Sequence, residues 1–345
     1  MKQVNVKFSE NFTAGGKAKI DVYNALKTEG VDSIDCFCNK GEDIKTKIIN
    51  EIRKYHFIDK LKREKDIIVM QYPFSNLGIV NKKLIKLEKN KKIIIVIHDV
   101  ESLRFNNVER YEDERKIFEY ASYIIAHNEK MKSYLVKQMK IDCNKIIELE
   151  LFDYIYNGKS ISYREIGEKP YTICFAGNLS VKKSPFLYEI DKHDDLEVVF
   201  SLYGIGYDMK ERKNILYNGS YDSESLVENI TGDFGLIWDG EWDDVNYNPL
   251  KEYTKYNNPH KLSLYIASRL PVIVWEKSAV ADFVKKNHIG YTIDTLDDIK
   301  NICCDKSEYQ HMQKQIDSIR KNVVTGGYIK KAIKMISKEI ERDKL

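Results

Sequence analysis

The residues able to do chemistry stand where short apolar runs end. Asn258 and Lys261 flank Pro259 and His260 at the start of a helical stretch that stops before Leu270 and Pro271. A cation and an amide there suit phosphate oxygens or a ribose, because unpaired N–H groups and the helix dipole favour negative charge; the plain alternative is that they solvate the helix start. Upstream, Phe175-Ala176 leads into Gly177 and Asn178 and then Lys182 and Lys183. Gly177 permits close backbone approach to a ligand, Asn178 can donate and accept, and either lysine can offset the charge of a departing diphosphate. Tyr221, after Gly219 and Ser220, can flank a nucleobase or merely cover the next helix start.

A second group suits proton transfer. Ile93, Ile94, Ile95, Val96 and Ile97 are β-branched and lead directly into His98 and Asp99. Such a run predicts a strand buried on both faces, whose carboxyl end lies on the ligand-binding edge of an open sheet. Asp99 can take a proton from a hydroxyl, and His98 can hydrogen-bond a sugar or act as base; alternatively Asp99 caps a turn and His98 packs. Gln71 and Tyr72 end another run and are candidates for the acceptor side, as are Gly15 and Gly16 at a helix opening. His127 and Asn128 read as a helix start capped by Asn128.

These residues need an alternation of strands and amphipathic helices to hold them. Strands are expected at 4–8, 33–38, 66–70, 92–97, 123–126 and 145–150, then at 171–176, 196–203, 215–218, 234–238, 271–274 and 290–293. Helical spacing follows each, which is the pattern of two consecutive α/β, doubly wound, Rossmann-like domains. Turn residues without periodicity between 153 and 169 place the boundary there, giving domains 1–158 and 159–325. Gly326-Gly327 then reads as a hinge before a terminal amphipathic helix, 326–345, with Ile329, Ile333, Ile336 and Ile340 on one side. The polar stretch 241–255 reads as a long loop in which Trp238 and Trp242 either face a sugar or pack.

Composition narrows the functions. The 345 residues carry 56 Lys and Arg against 53 Asp and Glu, a net charge of +3, so no global nucleic-acid footprint exists. Residues 1–160 hold 30 basic and 24 acidic side chains, leaving 26 and 29, so the first half is the basic one. Lysines crowd 54–65 and 81–92, which suits either a solvated surface or anionic lipid. Six cysteines without CxxC or ligand spacing read as reduced structural thiols and give no metal site. No leader and no apolar run of membrane-spanning length is apparent, so a cytoplasmic protein is expected. Gly15-Gly16 is not a dinucleotide fingerprint, which disfavours a nicotinamide cofactor.

The ordered set Ile97-His98-Asp99, Phe175-Ala176-Gly177-Asn178, Gly219-Ser220-Tyr221, Phe234-Gly235-Leu236-Ile237-Trp238, Asn258 to Lys261 and Leu270-Pro271-Val272-Ile273-Val274 resembles a bacterial glycosyltransferase family. It is the family of the beta-1,6-galactofuranosyltransferases and the adhesin glucosyltransferases, and the similarity spans most of the chain. The resemblance implies a GT-B fold with two domains facing across a cleft, a UDP-sugar in the second domain, a glycan acceptor in the first, no cofactor and no required metal. It places Gly16 by the acceptor and reacting sugar, Asn178 with Lys182 or Lys183 by the diphosphate, Tyr221 by uracil, and Asn258 with Lys261 by ribose and phosphate. Two departures matter: the donor-helix Glu of the broader retaining pattern is Leu264 here, and the small Gly before Leu-Pro-Val is Arg269. The expected activity is hexosyl transfer from a UDP-sugar to a lipid-linked or protein-linked glycan hydroxyl, with Asp99 as base. An inactive partner subunit and a UDP-sugar epimerase or hydrolase are the rivals; peripheral membrane contact and homo-oligomer formation stay open.

Overall fold

The computed structural model describes residues 1–7, 14–37, 43–73, 92–208, 212–243 and 247–342. The chain divides into two compact units, Met1–Glu150 with Tyr328–Leu345, and Leu151–Gly327. In the first unit, strands β1 (Lys2–Lys7), β2 (Asp32–Phe37), β3 (Ile68–Tyr72), β4 (Ile93–Ile97), β5 (Tyr123–Ala126) and β6 (Ile146–Glu148) form a parallel sheet in the order β2-β1-β3-β4-β5-β6. All five residues of β4 are buried, as its β-branched run requires of a strand covered on both faces. The order reverses at β1, so the crevice of this sheet opens between β1 and β3.

The second unit repeats the plan with β7 (Tyr171–Asn178), β8 (Val198–Ile205), β9 (Ile215–Tyr217), β10 (Phe234–Ile237), β11 (Val272–Trp275) and β12 (Gly290–Ile293), again parallel, in the order β12-β11-β10-β7-β8-β9. Its reversal lies between β7 and β10. Phe175, Phe200, Phe234 and Leu236 fill the core of this unit and are fully buried. β7 runs two residues beyond the expected strand, because Gly177 and Asn178 pair with Gly204 and Ile205. A side chain at Gly204 would place its Cβ 1.8 Å from the Gly177 carbonyl oxygen, so this tight parallel pairing needs glycine.

Three further differences from the sequence expectation have local physical causes. β3 starts at Ile68 rather than 66, because Glu64 Oε1 accepts the backbone N–H groups of Lys65 at 3.0 Å and Asp66 at 3.2 Å before the strand begins. The division between the units falls at Glu150, not at 158. Residues 151–156 are mostly apolar and already bonded within the second unit: Tyr154 N donates to the Val323 carbonyl at 3.0 Å and Tyr156 N to the Val324 carbonyl at 3.2 Å. Third, the polar stretch after β10 is not all loop: Asn248 accepts from Leu250 N and Lys251 N to cap a short helix, Pro249–Tyr253.

The last helix, Gly327–Arg342, buries Ile329, Ile333, Ile336 and Ile340. Lys331 pairs with Glu150 at 2.6 Å and Lys334 with Glu29 at 2.8 Å, which fixes it to the first unit. Of the expected elements, residues 8–13, 38, 81–91 and 343–345 lie outside the described residues. Among the described residues no helix is long and apolar enough to cross a membrane.

Candidate functional site

The carboxyl edge of the second sheet carries the best-defined constellation. The helix His260–Ala267 lies over the gap between β7 and β10, and Tyr265 pins it there. Its hydroxyl accepts from Ala176 N at 3.0 Å and reaches the Leu236 carbonyl at 3.2 Å, one bond to each strand beside the reversal. The ring fits only because β10 has Gly235 beneath it; a Cβ there would come within 2.5 Å of the ring. Lys261 precedes Tyr265 by one turn and so stands at the crevice itself. Its Nζ is 3.6 Å from Asp239 Oδ1, just past β10, and 4.0 Å from the centre of the Phe175 ring on β7. Gly177 lies against its stem, with the Cβ position 3.2 Å from Lys261 Cε.

Only 20% of the Lys261 side chain is exposed. Burial lowers its pKa, and the Asp239 charge opposes that shift without cancelling it. A cation in this state gains much from a second anion, since one carboxylate at 3.6 Å is too long for a tight hydrogen bond. Next to Asp239, a small recess is bordered by Trp238, Lys251, Pro259 and Trp275. Lys251 is buried with its Nζ 4.0 Å from the Trp238 ring centre and 4.8 Å from that of Trp275. The indole N–H of Trp275 is buried and has no partner among the described residues.

The structure brings some expected residues to this edge and assigns others to local work. Asn258 is buried and directly precedes Pro259, at the same helix start as Lys261. Asn178 Oδ1 accepts from Ser180 N at 3.0 Å and from Ser180 Oγ at 2.7 Å, so its oxygen shapes the turn and its amide nitrogen is the group left to offer a ligand. Lys182 is exposed and Lys183 half-buried on that turn, and neither forms an ion pair among the described residues. Tyr221 is 42% exposed, its ring 6.1 Å from that of Tyr203, beside a turn whose Gly219 carbonyl accepts from Gly204 N at 2.8 Å. It therefore sits on the β8 side of β7, opposite to Asp239 along the edge. Trp238 and Trp242 are both buried: Trp242 stacks on His193 at 4.0 Å and donates to Asp297, so both belong to packing rather than to a sugar face.

The two departures from the family pattern have structural partners. Leu264 is buried, where a ribose-binding carboxylate would have to reach solvent. Arg269 takes the left-handed conformation, φ 55°, that favours glycine at a helix end. An ion pair to Asp317 at 2.6 Å and stacking 4.4 Å over the Tyr163 ring hold the arginine in place.

In the first unit, Gln71 and His98 meet at the ends of β3 and β4. Gln71 Nε2 donates to the Lys19 carbonyl at 3.1 Å, which turns Oε1 toward His98 Nε2 at 2.7 Å. That network assigns an N–H to His98 Nε2. Asp99 pairs with Arg104. Lys19 Nζ donates to the Pro73 carbonyl at 2.6 Å; burial lowers its pKa while Asp99 and Glu101 raise it. Gly15 and Gly16 lie in the first turn of the helix Ala14–Thr28.

Tyr72, expected on the acceptor side, is a core residue instead. Strand alternation that turns Gln71 to the edge turns Tyr72 inward, edge-on to Phe118 with ring centres 5.1 Å apart. Its hydroxyl bonds the buried Glu114, and burial raises the pKa of both groups. Glu114 also accepts the N–H groups of Glu101 at 2.7 Å and Ser102 at 2.9 Å, which ties the segment after Asp99 to the core. His127 is buried against the Ile97 carbonyl, its pKa pushed down to about 3 by burial, and Asn128 caps the next helix through Met131 N. Among the described residues no group of three or more His, Cys, Asp or Glu side chains is arranged to hold a metal.

Sequence reasoning missed Asp239, Lys251, Tyr265 and Lys19. Asp239 was open to the rule that picked Asp99, since it also follows a buried strand; the other three are placed by tertiary packing.

Comparison with known proteins meets this geometry. Residues 3–151 match the model of the glucosyltransferase 3-like N-terminal domain, and residues 173–336 that of the glucosyltransferase 3-like C-terminal domain. The beta-1,6-galactofuranosyltransferase WbbI of Escherichia coli is 30% identical over 303 residues, 86% of each chain. Sucrose-phosphate synthase from Thermosynechococcus elongatus superposes with a TM-score of 0.67 over 99% of this chain and 100% of its own, at 11% identity. Anabaena Alr3699/HepE in complex with UDP and glucose superposes at 0.61 over 98% and 99%, also at 11% identity. The second two share only the fold, which is GT-B. With both domain models matched and a relative of this identity aligned along most of its length, the chain belongs to the glucosyltransferase 3-like family of glycosyltransferases.

Proposed function

We propose that the chain moves a hexosyl group, galactofuranose, glucose or galactose, from a UDP-sugar to a hydroxyl of a glycan in cell-surface polysaccharide or glycoprotein synthesis. The observation that carries this reading is Lys261, a largely buried cation at the strand-order reversal, held loosely by one carboxylate. A diphosphate seated there would gain a desolvated ammonium and the helix-start N–H groups. Asn258 would help hold ribose or phosphate, with Gly177 allowing close approach, Asn178 donating its amide, and Lys182 or Lys183 adding charge. Tyr221 would lie by uracil: β7 separates it from Asp239, and two strand spacings, about 10 Å, suit a base and diphosphate laid along the edge.

In the transfer, the acceptor oxygen bonds the anomeric carbon as the sugar–phosphate bond breaks and UDP departs with the electron pair. Asp99 takes the hydroxyl proton; His98, oriented by Gln71, binds the acceptor or shares the base role, and Gly15 and Gly16 line the acceptor side. The lysines supply the positive charge that a metal would otherwise supply, so the reaction is proposed to need neither metal nor cofactor. The acceptor is lipid- or protein-linked, and the lipid-linked case adds peripheral contact with the inner face of the membrane.

The test is UDP release from UDP-galactofuranose, UDP-glucose and UDP-galactose, with EDTA, with and without a GlcNAc-terminated glycan. Release that depends on acceptor, with a glycosylated product, is expected for one donor. Release or isomerisation without acceptor would establish the hydrolase or epimerase instead, and no turnover with any donor would favour an inactive partner subunit.

A further inference from the structure

The helix Ile44–Arg63 has two faces with different tasks. Phe57, Ile58 and Leu61, near its C-terminal end, are buried against the first unit. Its first three turns, 44–56, contain no buried residue. There Ile44, Ile48, Ile52 and Tyr55 recur at spacings of four, four and three and share one side of the helix. They are 78%, 56%, 54% and 55% exposed. Single exposed apolar residues need no explanation, but four in register along about 16 Å of helix form a stripe.

The charge of this helix is equally lopsided. It holds seven Lys and Arg against two Asp and Glu, in a chain whose net charge is +3. Both acids are engaged by lysines of the same helix, Glu51 with Lys54 at 2.6 Å and Asp59 with Lys62 at 3.7 Å. Lys45, Lys47, Arg53, Lys60 and Arg63 are all exposed; by helical spacing Lys45 and Lys47 flank the stripe, and Arg53 and Lys60 lie further round the helix.

We propose that this face docks on an anionic lipid surface, with the helix lying in the plane of the headgroups. The apolar stripe enters the boundary of the acyl chains, while the lysine and arginine stems let their charges stay at headgroup depth. A second copy of the chain fits poorly, because a symmetric contact would set these cations against their own counterparts. The inference deepens the membrane-contact part of the proposed function and is independent of the donor site.

The experiment is co-sedimentation of the full chain with phosphatidylcholine vesicles that contain or lack phosphatidylglycerol, at low and high salt. Pelleting is expected only with phosphatidylglycerol, weakened by salt, and reduced on the order of tenfold in the double variant Ile48→Ser, Ile52→Ser. Unchanged UDP affinity of that variant shows that the second unit is intact, and an unchanged circular dichroism melt shows the same for the first. No vesicle binding by the native chain, or binding that the double variant retains in full, overturns the proposal. So does self-association that the variant abolishes while vesicles capture nothing. Vesicle binding without UDP binding would sink the donor reading and leave this one standing.

Discussion

The two sheets share one plan, yet their carboxyl edges are finished differently. The second unit leaves a partly satisfied charge at its reversal: Lys261, over an aromatic ring and 3.6 Å from one carboxylate. In the first unit, the polar side chains at the ends of β3 and β4 are tied to partners within the unit: Gln71 to His98, Asp99 to Arg104 and Tyr72 to Glu114. One edge keeps a loosely paired cation, and the other ties its polar side chains to fixed partners. Under the proposed function, the repeated fold would divide the transfer reaction by how its sheet edges are charged and paired rather than by topology.

The contrast breaks most sharply at Asp99. Asp99→Asn should lower turnover by about two to four orders of magnitude while leaving UDP affinity unchanged, because it removes a base from the first edge only. Steady-state kinetics beside a UDP titration check this, and a turnover near that of the native protein would remove Asp99 from the role. Gly235→Ala comes next. The added methyl meets the Tyr265 ring at 2.5 Å and must displace the helix that bears Lys261, so urea unfolding should show a loss of about 2 kcal/mol, together with weaker UDP binding.

A smaller effect sharpens the other side. Gln71→Ala removes the 2.7 Å partner of His98 Nε2 and should cost turnover several-fold, about 1 kcal/mol, with no change in UDP affinity. Rescue by Gln71→Asn is not expected, since the shorter amide cannot span Lys19 and His98.

The gentlest test uses pH. Burial lowers the Lys261 pKa below the ordinary lysine value, so the unfolded chain binds the proton more tightly and stability rises with pH between the folded and unfolded values. UDP affinity needs the ammonium and should fall over the same window. Lys261→Met should abolish both trends, measured by chemical unfolding and by titration at alkaline pH.

Much of this was legible in the sequence, and the misses have specific causes. The strands could be read because β-branched runs such as Ile93 to Ile97 have one good use in a parallel sheet. Gly177, Asn258 and Lys261 could be picked out because they follow such strands or open a helix. Tyr72 was misplaced because β3 runs on through Tyr72, two residues past its expected end, so strand alternation turns that side chain to the core. The segment 151–156 was given to the wrong unit because turn composition marks a linker by polarity, whereas these residues are bonded into the second unit before the polar turns begin. Lys251 could not have been found at all: nothing in a lysine-rich chain marks the one that packs between two tryptophans.

Lys261 as the anion anchor of the second edge is the pivot of the proposed function. Its most direct test is calorimetric titration of the native chain and Lys261→Ala with UDP in EDTA. Saturable binding by the native chain is expected, with an affinity roughly 30-fold lower in the variant, the equivalent of about 2 kcal/mol for a charged contact. Equal affinity in the two proteins, or no binding by the native chain, would contradict it.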